Sequence, residues 1–219
     1  GGGIELHDEV AIQAIDRNSC LEVLALYGTG LTSRTVIAAL TQCSRLRHLE
    51  VVRTAGPEAP NLEQAVSDIP VFTASRIETL VISGISVDDQ VFAALAQGSR
   101  ALTKLGLVNI PSISTESLVS LLTSRSSAGS SGEDQSLGLK GLRIVDCPNV
   151  TDAILVPLAD ESLPHRESLL VLHIQGCEFT SAIAVGTCVK SLPNLSVLHI
   201  TGTEMVPQQF HYTFEPSGD

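Results

Sequence analysis

Two pairs of residues in this 219-residue chain recur at matching intervals and are of types that do chemistry. Cys147 and Cys177 stand 30 positions apart, and His173 and His199 stand 26 apart, with Arg143 30 positions ahead of His173. Neighbouring thiols would make a redox or metal pair. Neighbouring imidazoles would make a metal site or, beside a guanidinium, an anion-binding strip. The metal reading lacks a third ligand, because Arg143 cannot coordinate. No His or acidic residue shares the spacing of the two cysteines, which points to small buried side chains instead of a redox centre. A Ser-His-Asp triad can be drawn only on paper, since no G-x-S-x-G elbow frames a serine. His7, His48, His165 and His211 read as scattered surface residues. Catalysis, a bound metal and a cofactor are therefore not expected.

The elements that must position these residues follow from an internal repeat. The pattern L-x-x-L-x-L, with Ile or Val in place of Leu, appears as Leu21-Leu24-Leu26, Leu46-Leu49-Val51, Ile77-Leu80-Ile82 and Leu102-Leu105-Leu107. It continues as Leu139-Leu142-Ile144, Leu169-Leu172-Ile174 and Leu195-Leu198-Ile200. Successive starts lie 25, 31, 25, 37, 30 and 26 residues apart. Each pattern is followed by apolar residues at helical spacing, such as Leu31, Val36, Ile37 and Leu40, or Ile113, Leu118, Leu121 and Leu122. Thr32, Ser86, Ser114 and Thr151 are suited to cap those helices, because a side-chain oxygen can accept an unpaired first-turn N–H. Each unit thus reads as strand, turn and helix, and none can bury its apolar face without a neighbour.

The expected architecture is a single α/β domain over 1–219, a leucine-rich-repeat horseshoe with a parallel sheet on the concave face and helices on the convex face. Strands are predicted near 23–27, 48–52, 79–83, 104–108, 141–145, 171–175 and 197–201. A doubly wound α/β fold also alternates strand and helix, but its strands are buried on both faces and read as continuous apolar runs. Here they alternate, as in Leu172-His173-Ile174-Gln175, and no G-x-G-x-x-G or G-x-x-x-x-G-K loop is present. Two insertions are predicted. Residues 53–75 read as a turn and a short helix. Residues 124–136 are too polar to offset their ordering entropy and are expected to be mobile. The tail, 204–219, alternates aromatic and polar residues over Phe210–Phe214 and is expected to cap the last repeat.

Composition agrees with a packed aliphatic protein: 43% hydrophobic, 17% charged, 3% aromatic and no Trp. The net charge of −11, with no Lys/Arg run to offset it, opposes nucleic-acid binding. Charged and polar residues interrupt every apolar stretch short of a membrane span. The N-terminus lacks the basic and apolar regions of a signal peptide and reads as an internal cut. Five cysteines without a C-x-x-C pair argue against disulfide and zinc frameworks. Cytosol or nucleus fits, and a secreted origin stays open.

The unit from Leu139 to Ala159 carries Leu139, Leu142, Ile144, Cys147, Val150, Thr151, Asp152, Leu155 and Leu158. It resembles the cysteine-containing leucine-rich-repeat subtype, L-x-x-L-x-L-x-x-C-x-x-I-T-D-x-x-L-x-x-L-A, and Cys43–Leu46 resembles the junction between two such repeats. This subtype is typical of F-box leucine-rich-repeat proteins. The resemblance implies the substrate-recognition subunit of a cullin-based ubiquitin ligase. The ninth position departs from the pattern, being Thr29, Thr54, Ile85, Ile110, Cys147, Cys177 and Thr203, and no F-box is seen. The alternative is a general interaction scaffold of the same repeat type, intracellular or secreted.

With the leucines turned inward, the third, fifth and seventh positions of each unit face the concave side. These columns hold one acid, Glu50, several bases and many valines. Tyr27, His48, Glu50, Val81, Lys104, Arg143, His173, Gln175 and His199 are the expected partner-binding residues. The expected occupant is a protein or peptide, with an acidic segment suited to the basic column. The chain alone is expected to be monomeric.

Overall fold

In the computed structural model, described residues are 6–54, 76–124, 138–178 and 182–202. The segment 55–75, the segment 125–137 and the tail after 202 therefore lie outside the described residues, and with them the expectations for both insertions and for a capping tail.

Seven strands form one open sheet: β1 (Val23–Gly28), β2 (His48–Arg53), β3 (Thr79–Ser83), β4 (Lys104–Val108), β5 (Gly141–Val145), β6 (Val171–Cys177) and β7 (Val197–Gly202). They follow one another in chain order, every pair parallel. β1, β2, β6 and β7 run one or two residues beyond the spans predicted from the repeat. The helices are α1 (Asp8–Arg17), α2 (Ser33–Gln42), α3 (Asp89–Gly98), α4 (Thr115–Thr123), α5 (Leu155–Ala159), α6 (His165–Ser168) and α7 (Ala182–Ser191). A single 3₁₀ turn, Asp152–Ile154, leads into α5.

The register keeps equivalent residues of each unit side by side. Leu24, Leu49, Leu80, Leu105, Leu142, Leu172 and Leu198 form one row, and Leu26, Val51, Ile82, Leu107, Ile144, Ile174 and Ile200 form another. Both rows pack on one side of the sheet, in one cluster with Val36 and Leu40 of α2, Phe92 and Leu95 of α3, and Leu118 and Leu122 of α4. The sheet therefore has one face buried under helices and one face turned away from the core. Strand order never reverses, as it would in a doubly wound sheet.

Three of the four expected caps are in place. Thr32, Ser114 and Thr151 accept the N–H groups of Arg34, Ser117 and Ala153. Ser86 does not cap α3. Asp88 does, accepting the N–H of Gln90 at 2.8 Å. A second set of bonds ties successive helix starts together. Asp8, the first residue of α1, accepts the N–H of Thr32 at 2.9 Å and the hydroxyl of Thr35 at 2.6 Å. Asp89, the first residue of α3, accepts the N–H of Ser114 at 3.2 Å. Thr115, the first residue of α4, accepts the N–H of Thr151 at 2.9 Å. In each case the first residue of one helix satisfies the cap residue of the next, so orphan N–H groups are paired between units.

The turn leaving each central strand also repeats. Gly84, Asn109, Asp146 and Gly176, the eighth residues of four consecutive units, have φ of 68°, 52°, 52° and 61°. This left-handed conformation is open to Gly and tolerated by Asn and Asp. In the ninth position Cys147 and Cys177 are fully buried. Their thiols donate to the carbonyls of Val145 and Gln175, each at 3.4 Å.

His165 corrects the surface reading given to it above. It is completely buried, its Nε2 3.0 Å from the carbonyl oxygen of Leu122 and its Nδ1 accepting the N–H of Leu139 at 3.0 Å. The hydroxyl of Ser168 donates to the carbonyl of Leu139 at 2.8 Å. A side chain on Gly138 would strike the backbone carbonyl of Pro164, so only glycine fits there.

Candidate functional site

Every expected partner-binding residue lies on the sheet face turned away from the core, on alternating positions of the six strands β2 to β7 and near the end of β1. This follows from strand geometry: with the leucine rows turned inward, their neighbours must point outward. The face is a grid. One row is Val23, His48, Thr79, Lys104, Gly141, Val171 and Val197. The middle row is Ala25, Glu50, Val81, Gly106, Arg143, His173 and His199. The third is Tyr27, Val52, Ser83, Val108, Val145, Gln175 and Thr201. Val145 departs from the exposed valine strip expected of the sequence, at 7% exposure. Val23, Val171 and Val197 are exposed at 63%, 38% and 50%.

The grid divides by charge. On β1 and β2 the one acid is already engaged. Glu50 accepts the Tyr27 hydroxyl, and this bond together with burial holds the phenol above its ordinary value. Nε2 of His48 lies 3.8 Å from the same carboxylate. On β4 to β7 the ionisable groups are Lys104, Arg143, His173 and His199, with no acid in the three rows. Among the described residues neither Lys104 nor Arg143 forms an ion pair.

His173 and His199 do come together, their rings 4.4 Å apart between centroids and inclined at 63°. Gln175 Oε1 lies 3.4 Å from His173 Nε2. Burial lowers the His173 pKa, the Gln175 contact partly restores it, and His199 and Arg143 lower it further by repulsion. At neutral pH the ring is accordingly uncharged. Among the described residues no group of three or more His, Cys, Asp and Glu is placed to hold a metal ion. No described helix is long and apolar enough to cross a membrane.

No known family model and no curated protein matches this chain. Its site is therefore built from its own residues. Two of them escaped the sequence reading. Gly106 pairs directly with Arg143, and Gly141 with Lys104, in the register. A Cβ on Gly141 would meet only the Lys104 side chain, at 3.8 Å, and a Cβ on Gly106 would meet the Val81 methyls from 3.3 Å. The two glycines thin the side-chain layer where the two permanent cations stand. Their columns were visible in the sequence; the signal was the absence of a side chain between two charged ones.

Proposed function

We propose that this chain is a leucine-rich-repeat solenoid that binds a protein or peptide on the sheet face opposite its helices, the face such a solenoid curves around. The observation that carries this reading is the contrast between the two faces. One is sealed by helices, while the other leaves Val171 and Val197 exposed side by side on β6 and β7, and Val23 and Tyr27 exposed on β1. Apolar side chains left exposed together among polar ones mark a surface that another molecule covers. The repeat length, the strand–turn–helix unit and the buried ninth-position cysteines support the repeat type.

Site-directed photo-crosslinking tests the face. A photoreactive residue at Thr79 or Val81 should capture a partner from extract, and one at Ala93, exposed on α3, should not. Capture through Ala93 alone would move the interaction to the helices.

The resemblance of Leu139–Ala159 to the cysteine-containing subtype favours one role within this reading, substrate recognition for a cullin-based ubiquitin ligase. Co-purification of the full-length protein with the ligase adaptor tests it. A full-length protein that excludes the adaptor is a general scaffold in the cytoplasm, the nucleus or outside the cell.

A further inference from the structure

We propose that the β4–β7 half of the open sheet face takes an extended acidic peptide segment bearing an aliphatic side chain, and takes up protons as it does so. This rests on the reading of that face as the interaction surface and names its occupant.

The argument starts from charge. The chain carries −11 overall, yet twelve grid positions on β4 to β7 hold Lys104, Arg143, His173 and His199 and no carboxylate. Like charges placed together on an otherwise acidic protein are complementary to an anion. Arg143 sits between Gly106 on β4 and His173 on β6, and Lys104 sits beside Gly141. No bulky side chain separates a docking backbone from either cation. Next to the histidines in the adjacent row stand Val171 and Val197, 38% and 50% exposed. The patch thus offers two fixed charges, two titratable ones and an apolar step, and an acidic segment with an aliphatic side chain matches all three.

Size fits as well. Three inter-strand steps of about 4.8 Å span roughly 14 Å, which an extended peptide covers in about four or five residues. A nucleic acid fits less well. No Phe, Tyr or Trp stands among these twelve positions, and the remaining acidic surface repels a polyanion.

Proton uptake follows from the neighbours of His173. The groups facing it are Arg143 on β5, His199 on β7 and Gln175 on its own strand. Asp146, the residue after β5, has its carboxylate beside Gly176. Burial first, and then repulsion from His199 and Arg143, lower the pKa of the free ring. A carboxylate laid across Arg143 and the two imidazoles reverses that balance, so the complex holds more protons than the free protein. Affinity then rises as pH falls toward the ordinary histidine range.

The test is selection of random displayed peptides, about eight residues long to exceed the span, on the full chain at about pH 6. Selected peptides should be enriched in Asp and Glu with at least one Leu, Ile or Val. Binding by a chosen peptide should be about tenfold tighter at pH 6 than at about pH 7.5, the range in which histidine titrates. His173→Gln with His199→Gln should flatten that dependence. Arg143→Glu should weaken binding about tenfold at both pH values. A change at exposed Glu116 on α4 should do neither. Peptides with no acidic excess, or no response to pH and to these variants, overturn the proposal, as does an empty selection. If such peptides are instead lost on Val81→Asp, the face remains the interaction surface and only this occupant is wrong. If they are lost only on helix-side changes, both readings fall. Tighter binding of an oligouridylate than of any peptide, or self-association abolished by Arg143→Glu, assigns the patch to RNA or to a second copy and likewise overturns it.

Discussion

The ring of His165 joins Leu122 to Leu139: its Nε2 lies 3.0 Å from one carbonyl oxygen and its Nδ1 accepts the other residue's N–H at 3.0 Å. One side chain thus holds the end of α4 against the entry to β5. Both bonds need a neutral ring with its proton on Nε2, because Nδ1 must accept.

Replacing that ring should be costly. His165→Ala leaves a buried N–H and a buried carbonyl without this partner, at about 1–3 kcal/mol each, so a loss of about 2–6 kcal/mol is expected in urea unfolding. Hydrogen exchange at the Leu139 amide should accelerate in the same variant. An unchanged urea midpoint with a protected amide would show that the tie lies elsewhere.

Asn109 should tolerate one replacement and reject another. Its φ of 52° lies in the left-handed region. Asn109→Gly is expected to leave stability within about 0.5 kcal/mol, and Asn109→Val to lower it by about 1–2 kcal/mol or more. Equal melting temperatures for the two variants would mean that the turn rearranges around the side chain.

Cysteine reactivity should follow burial. Five thiols are free, of which only Cys20 is exposed. Burial pushes Cys147 and Cys188 up to about 11 and raises Cys43 and Cys177 as well. Since the thiolate is the nucleophile, maleimide at about pH 7.5 should modify Cys20 in the folded protein and the other four only in denaturant. Rapid labelling of Cys147 or Cys177 in the folded state would reopen the redox reading of that pair.

The pH dependence of stability should carry a His173 contribution. Burial holds this imidazole below its ordinary value of 6.5, so the folded protein binds fewer protons there than the unfolded chain. The associated stability is present above about pH 6.5 and is lost as pH falls toward the depressed folded value. The melting temperature of the parent, relative to His173→Gln, should therefore decline between about pH 7.5 and pH 5. A constant difference across that range would place the ring in solvent.

Much of this was legible because one period controls both strand placement and side-chain direction. Once Leu142 and Ile144 are fixed as inward, Arg143 must face outward, and a shared register puts His173 and His199 side by side. The misses have local causes. Ser86 and Asp88 are both capping residue types and each follows a buried apolar residue, but Thr32, Ser114 and Thr151 lie eleven or twelve residues past the start of their units, a step that Asp88 shares and Ser86, nine residues past, does not. Aligning the units on that step would have chosen Asp88. α1 was overlooked because the pattern was anchored on strand leucines, and none precedes it among the described residues. Its Ala11 and Ile15, four apart, are buried against the core. The run of Gly84, Asn109, Asp146 and Gly176 was in plain view, its common feature being tolerance of positive φ. His165 had no repeat partner, so no column could betray its burial.

The bonds from Asp8 to Thr32, from Asp89 to Ser114 and from Thr115 to Thr151 all run the same way along the chain. At these three junctions the cap of the later helix start donates to an acceptor on the earlier one, which gives them a common direction. Loss of the acceptor at one of these junctions leaves the next cap residue without that partner, while the earlier helix keeps its own cap bond. Synthesis from the N-terminus meets this dependence in the favourable order, since each accepting segment has left the ribosome before the segment that donates to it.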